Sequence, residues 1–181
     1  MIPPSPWVER HIGLIPAGGR VLDLACGSGR HTRLLAAAGH PVLAVDRDGA
    51  ALSALVALPE VTPLVADLEG PVWPLAGRSF AGVVVTNYLW RQRLHDVLAL
   101  LSPGGVLIYE TFMAGNEAYG KPARPEFLLR SQELLTLARD HGLLVVAYEE
   151  GYAATPKPAM RQAICAMRPG GGEAALRPGT Y

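Results

Sequence analysis

A glycine turn and three carboxylates are spaced so that a parallel sheet would deliver them to one edge. The turn lies in VLDLACGSGRHT, Val21 to Thr32, where an apolar run holding Asp23 is broken by Ala25-Cys26-Gly27-Ser28-Gly29. Glycines two apart after a buried strand let the backbone come close to something that a side chain would hold off. Asp46 ends the second apolar run, seventeen positions after Gly29, where an acid can accept hydrogen bonds from both hydroxyls of a ribose. Asp67 ends the third run, one strand further along the same edge. Each feature alone has a plainer reading. The turn could be a tight strand-to-helix connection, and Asp46 an exposed turn aspartate, with Asp48 competing to start the next helix. Together, in this order, they describe a nucleoside pocket.

The nucleoside can be narrowed. A dinucleotide site shows GxGxxG, whose third glycine lets the helix pack close and present its N-terminus to pyrophosphate. Thr32 stands at that position. Asp23, two residues before Ala25, would repel a diphosphate but could hydrogen-bond the ammonium group of an amino acid. S-adenosylmethionine fits both ends.

The elements that must position these residues follow from periodicity. Ser5-Pro6 reads as an N-cap with proline at the first helical position, opening a helix to about Leu14. Strands are expected at Val21–Ala25, Pro41–Val45, Val61–Ala66, Gly82–Thr86 and Val106–Glu110, the last after a Pro103-Gly104-Gly105 turn. Helices are expected at Arg30–Ala38, Gly49–Leu58 and Arg91–Leu101, and at Ser131–His141 with Ser131 as cap. Continuous Val/Leu/Ile runs alternating with helices indicate a parallel sheet covered on both faces. Leu143–Tyr148 and Met160–Met167 read as two more strands. Glu149 to Ala159 is too short for a helical crossover, so this pair is antiparallel. The expected fold is α/β: a doubly wound, mostly parallel seven-stranded sheet with a final antiparallel strand. One domain over 1–168 precedes a Gly/Pro-rich tail over 169–181 that reads as frayed.

Composition limits the partners. The 181 residues are half hydrophobic and 18% charged, with Lys+Arg and Asp+Glu both 16 and formal net charge +0. That balance lacks the basic footprint of a protein held by nucleic-acid phosphates. Cys26 and Cys165 form no disulfide framework or metal-ligand pattern and read as small buried residues, so no metal is expected. The start MIPPSPWVERH carries no export signal, and no apolar run approaches the ~20 residues of a membrane span. A cytoplasmic protein is expected.

DLACGSG, Asp46, ADLE around Asp67, VVVTNYLWR and LSPGGVLIYETF together resemble the class I S-adenosylmethionine-dependent methyltransferases, of the small single-domain type similar to bacterial tellurite-resistance methyltransferases. The resemblance runs from about Ile15 to Phe112 and implies the Rossmann-like methyltransferase fold. It implies S-adenosyl-L-methionine as methyl donor and S-adenosyl-L-homocysteine as product. Asp23, Ala25, Gly27 and Gly29 would hold the methionine part, with Arg30 on its carboxylate. Asp46 and Arg47 would lie at the ribose, Asp67 and the main chain of Leu68 at the adenine edge. Asn87 and Tyr88 would lie beside the sulfonium. Three departures stand out: Ala25 replaces the usual first glycine, Ala81 replaces a common aspartate, and NYLW lacks the prolines of the amino-methylating NPPY motif.

The acceptor side is less defined. Tyr88 and His95 are the candidate catalytic residues, His95 because it can titrate near neutrality. His31 opens the helix after the glycine turn, where a solvated helix start is the alternative to Arg30 beside it pairing with the methionine carboxylate, and Trp7 and Trp90 could close the pocket or pack. Arg91, Arg93, Lys121, Arg124, Arg130, Lys157 and Arg161 are interspersed with Glu110, Glu117, Glu126, Glu149 and Glu150. A small-molecule or oxyanion acceptor is expected, anionic or neutral. Methyl transfer to RNA or protein, a nicotinamide-dependent oxidoreductase and a silent cofactor-binding module are the alternatives. The irregular stretch Met113 to Arg130 leaves the fifth strand at the same edge and reads as a movable cover.

Overall fold

Short apolar runs and amphipathic stretches alternate as strands and helices through most of the chain. The computed structural model describes residues 3–170. Ser5 accepts a hydrogen bond from the Trp7 amide, and Pro6 fixes the first turn of α1 (Pro6–His11), which tightens into a 3-10 turn over Ile12–Leu14. Then follow β1 (Val21–Leu24), α2 (Arg30–Ala37), β2 (Val42–Asp46), α3 (Gly49–Ser53), β3 (Val61–Val65) and β4 (Phe80–Thr86). A 3-10 turn at Arg91–Arg93 leads into α4 (Leu94–Ala99), β5 (Leu101–Phe112), α5 (Glu133–Asp140), β6 (Leu144–Ala153) and β7 (Ala159–Met167).

The seven strands form one sheet in the order β3-β2-β1-β4-β5-β7-β6. The first five are parallel, and β7 runs antiparallel to both β5 and β6. Successive side chains point to opposite faces, so each strand feeds two cores. Leu22, Leu24, Val83, Val85 and Leu107 pack with Leu98 of α4 and with Leu134 and Leu137 of α5. Val21, Ala44, Val84 and Ile108 pack with Val8 of α1, Leu35 of α2 and Leu52 of α3. The winding reverses between β1 and β4, which opens a crevice at their carboxyl ends.

Several expected boundaries move. The helix after Asp48 stops at Ser53, because Leu55, Val56 and Leu58 bond three residues back and tighten the chain into turns. The Pro103–Gly105 turn is stitched into β5: the Gly104 amide donates to the Arg168 carbonyl, and the Arg168 amide donates to the Gly105 carbonyl. Glu149–Ala153, expected as connection, continues β6, with Glu149 opposite Ala163 and Ala153 opposite Ala159. An edge strand can pair its backbone while its polar side chains stay in water. Ser131 is not the cap of α5. Gln132 takes that position at φ 60, and the Ser131 hydroxyl donates to Glu150 at 2.8 Å. Among the described residues no helix is long and apolar enough to cross a membrane. The expected frayed tail lies, from residue 171 on, outside the described residues.

Candidate active site

The glycine turn leaves β1 with three residues in the left-handed region: Ala25 at φ 55, Gly27 at φ 55 and Gly29 at φ 77. Two of the three are glycines, for which that region carries no steric cost; Ala25 pays it. Gly29 also needs its missing side chain for packing, since a Cβ would fall 2.5 Å from Leu55 Cδ2. The close approach expected of Gly29 is therefore to Leu55. A Cβ on Gly27 would meet nothing within 4 Å, and its amide donates to Asp46 Oδ2 at 2.7 Å. The first carboxylate at the strand edge thus fixes the turn from below.

Asp46 and Asp48 divide the two roles open to them. Asp48 Oδ1 accepts from the amides of Ala50 and Ala51 and caps α3. Asp46 uses Oδ1 for the Asp48 amide at 3.0 Å and lines a cleft. Ala25, Arg47, Asp67, Leu68, Asn87 and Tyr88 line the same cleft, of about 290 Å³, together with Ala66 and Glu69. Ala25, Asp46, Arg47, Asp67, Leu68, Asn87 and Tyr88 therefore meet at the switch point, whereas Asp23, Gly27, Gly29 and Arg30 do not line this cleft. Asp67 is steadied by the Glu69 amide, which donates to Oδ1 at 2.9 Å.

Asp23 is buried beneath the turn. Thr32 Oγ1 donates to its Oδ2 at 2.6 Å, while Oδ1 is buried with no partner among the described residues. Burial pushes its carboxyl up to about 7, against the Thr32 hydrogen bonds that pull it down. Thr32, read from sequence only as a missing glycine, is what holds this acid. Tyr88 shows the same orphan pattern: its hydroxyl is buried without a partner among the described residues, and burial, with Glu69 and Asp67 nearby, pushes it well above the ordinary phenol range. It stays protonated at neutral pH and can donate a hydrogen bond, but it cannot serve there as a base.

Other expected residues are placed elsewhere. His95 does not line the cleft; its Nδ1 lies 2.6 Å from His141 Nε2, with the rings stacked between α4 and α5. His31 is buried: its Nε2 accepts from the Ser5 amide at 2.9 Å, which leaves Nδ1 to donate to Thr86 Oγ1 at 3.2 Å. Burial holds it down at about 4, so the solvated-helix alternative is excluded. Trp7 is a core residue whose indole donates to the Ile164 carbonyl, and Trp90 does not line the cleft. Arg30 donates to the Pro3 carbonyl at 3.2 Å and borders a neighbouring cavity under the N-terminal segment.

The stretch from Met113 to Arg130 is tied down at rest. Its ends bond each other, Ala114 to Leu129 and Leu129 to Phe112, and Arg91 donates to the carbonyls of Pro125, Glu126 and Leu128 while pairing with Glu133 at 2.7 Å. What sequence reasoning missed is a cluster next to Asn87. Asn87 sits at φ 54, and its Oδ1 accepts from Arg161 Nη1 at 2.9 Å. The same nitrogen lies 3.1 Å from Glu110 Oε1, and Ser5 Oγ donates to Glu110 Oε2. Arg161 and Glu110 entered the sequence reading only as members of a mixed charge set, since their strands are far apart in the chain.

A family model described as a methyltransferase domain matches residues 21–105. The chain is similar to a tRNA U34 carboxymethyltransferase of Methylococcus capsulatus, 32% identical over 123 residues that cover 61% of this chain and 37% of the relative. It thus spans little more than a third of that protein's length. Among solved structures, TehB from Haemophilus influenzae superposes with a TM-score of 0.72 at 18% identity, covering 90% of this chain and 61% of that one. The 1,6-didemethyltoxoflavin-N1-methyltransferase of Burkholderia thailandensis, solved with its substrate and S-adenosylhomocysteine, superposes at 0.65 with 21% identity, covering 90% and 75%. At these identities the two structures establish the fold.

Proposed function

We propose that this chain is a class I S-adenosylmethionine-dependent methyltransferase that holds its methyl donor in the Asp46 cleft and methylates a small-molecule acceptor. The donor supplies an already activated methyl group on a sulfonium, so the protein's task is chiefly positioning, worth roughly 7–11 kcal/mol in well-oriented cases. The observation that carries the reading is the Asp46 carboxylate, fixed by the Gly27 amide at the mouth of a cleft shared with Asp67 and Tyr88. Asp46 and Arg47 serve the ribose, and Asp67, Leu68 and the unpartnered Tyr88 hydroxyl serve the adenine. The buried, unpartnered Asp23 Oδ1 and the open face of Gly27 suit the amino-acid end. Ala25 and Asn87 border the sulfonium.

The relative named for tRNA favours a second reading, methyl transfer to RNA. The formal net charge of +0 counts against it. Calorimetry should show binding of S-adenosylhomocysteine and none of NAD; the reverse result would overturn the donor assignment. Labelled donor offered to small amines, phenols, oxyanions and bulk tRNA separates the acceptors. Label appearing in tRNA alone would replace the small-molecule reading.

A further inference from the structure

A second cavity, of about 240 Å³, lies beside the donor cleft beneath Pro3–Pro6, walled by Arg30, Glu110, Arg161 and Thr155. Asn87 joins the two: it lines the donor cleft and bonds Arg161. Glu110 stands at the carboxyl end of β5, its carbonyl accepting from the Asn87 amide at 3.0 Å. Its side chain and that of Arg161 are 14% and 15% exposed, a well-shielded pair at the cavity wall. Arg161 is held further by Phe112, its guanidinium lying 4.4 Å from the ring centroid. The charged residues that share the cavities of Glu110 are Arg161, Arg30 and Glu9 on this side and Arg10, Glu149 and Glu150 in the adjoining pocket. Ser5 reaches Glu110 from the segment that roofs the cavity, and that segment is latched by His31 on α2. A carboxylate fixed from two sides, by Ser5 of the N-terminal segment and Arg161 of β7, beside the donor cleft is more than a surface ion pair.

We propose that this cavity is the acceptor site, that it takes a small acceptor whose attacking atom carries a proton (a hydroxyl or an amine), and that Glu110 accepts that proton. The proposal rests on the donor cleft assigned above. The acceptor's oxygen or nitrogen gains a bond to the methyl carbon as the carbon–sulfur bond breaks, and that electron pair stays on sulfur. The acceptor's proton passes to the Glu110 carboxylate and from there to solvent. Arg161 is a positioning residue that aims Glu110 and ties it to Asn87. Ser5 places the roof on the same carboxylate.

Two measurements test this. Calorimetry with S-adenosylhomocysteine and with 5′-methylthioadenosine, which lacks the amino-acid end, is run on the wild type, Glu110→Gln and Arg161→Lys. Affinities within about twofold of wild type are expected. A tenfold loss for S-adenosylhomocysteine with methylthioadenosine unaffected would assign the cavity to the donor's amino-acid end and overturn the proposal. No binding of either ligand to the wild type would instead defeat the donor assignment. Transfer of labelled methyl to catechol and benzylamine is then compared with transfer to selenite and tellurite, whose attacking lone pairs carry no proton. The expected result is turnover of catechol or benzylamine, with kcat falling at least a hundredfold in Glu110→Gln at little change in KM. Ser5→Ala, which leaves the carboxylate intact, should lower kcat more mildly. Turnover confined to the oxyanions, no turnover of either proton-bearing probe, or unaltered rates in Glu110→Gln would each overturn it.

Discussion

Asp46 carries two loads at once. It fixes the Gly27 amide at 2.7 Å and, in the proposed function, also takes the ribose. Asp46→Ala should weaken S-adenosylhomocysteine binding by about 1.5–3 kcal/mol, the range for hydrogen bonds to a charged group. Calorimetry beside a melting curve separates this from unfolding, and an unchanged dissociation constant in a folded variant would misplace the ribose. Ala25 presents the opposite case, a side chain where the backbone prefers none. At φ 55 it bears left-handed strain of about 1–2 kcal/mol, part of which glycine would return as unfolded-chain entropy. Ala25→Gly should therefore stabilise the fold by roughly 0.5–1 kcal/mol, read as a higher denaturant midpoint at constant slope. A lower midpoint would show that the turn is not held left-handed.

Among the elements, the Met113–Arg130 stretch changes its meaning most between sequence and structure. Gly115, Gly120, Pro122 and Pro125 read as a shaped, movable cover. In the fold, Arg91 gathers three of its carbonyls and Glu133 into one guanidinium fork, leaving that half of the stretch fixed to α5. Glu133 is held below the usual carboxylate range by this pairing, against the desolvation that pushes it up. Arg91→Met should speed hydrogen exchange across residues 125–130 and lower stability by about 1–2 kcal/mol, discounted because the pair is partly exposed. Exchange that stays slow there would mean that the Ala114–Leu129 pairing alone holds the stretch. The N-terminal segment is the better candidate for a part that completes the site, since Ser5 bridges His31 and Glu110.

At the scale of the whole molecule, two buried groups set the pH response with opposite signs. Asp23 sits near 7 in the fold against an ordinary 3.8, so the folded chain keeps a proton that the unfolded chain releases. Its contribution is full below pH 4 and is lost as pH rises to about 7. His31 sits near 4 against 6.5, so the folded chain refuses a proton that the unfolded chain takes. Its contribution is full above about 6.5 and is lost as pH falls to about 4. The two slopes oppose each other over the same window, and the wild type should be nearly flat there. Asp23→Asn should expose a rise in stability from pH 4 to 6.5, and His31→Gln a fall from pH 4 to 7. Denaturant unfolding at several pH values checks both; parallel curves for all three proteins would mean that neither group is buried in solution.

The sequence by itself determined the sheet and the edge to which its glycine turn and acids are carried. Each of these rests on local signals: short apolar runs, a glycine turn, and acids that end successive strands. Asp23, Asp46 and Asp67 were legible because a parallel sheet carries strand ends to one side whatever the loops do. The limits of α3 and β6 were not, because turn formation after Ser53 and edge pairing of Glu149–Ala153 depend on what packs beside them. His95 looked suited to catalysis by type, and only the packing of α4 on α5 placed it against His141. Thr32 looked like an absent glycine until the fold set its hydroxyl on Asp23. Ser5, Glu110 and Arg161 carry no shared spacing at all. They meet because β7 returns antiparallel beside β5 while the N-terminal segment crosses above both. Contacts between residues so distant in sequence are set by topology and packing, and those only the tertiary structure decided.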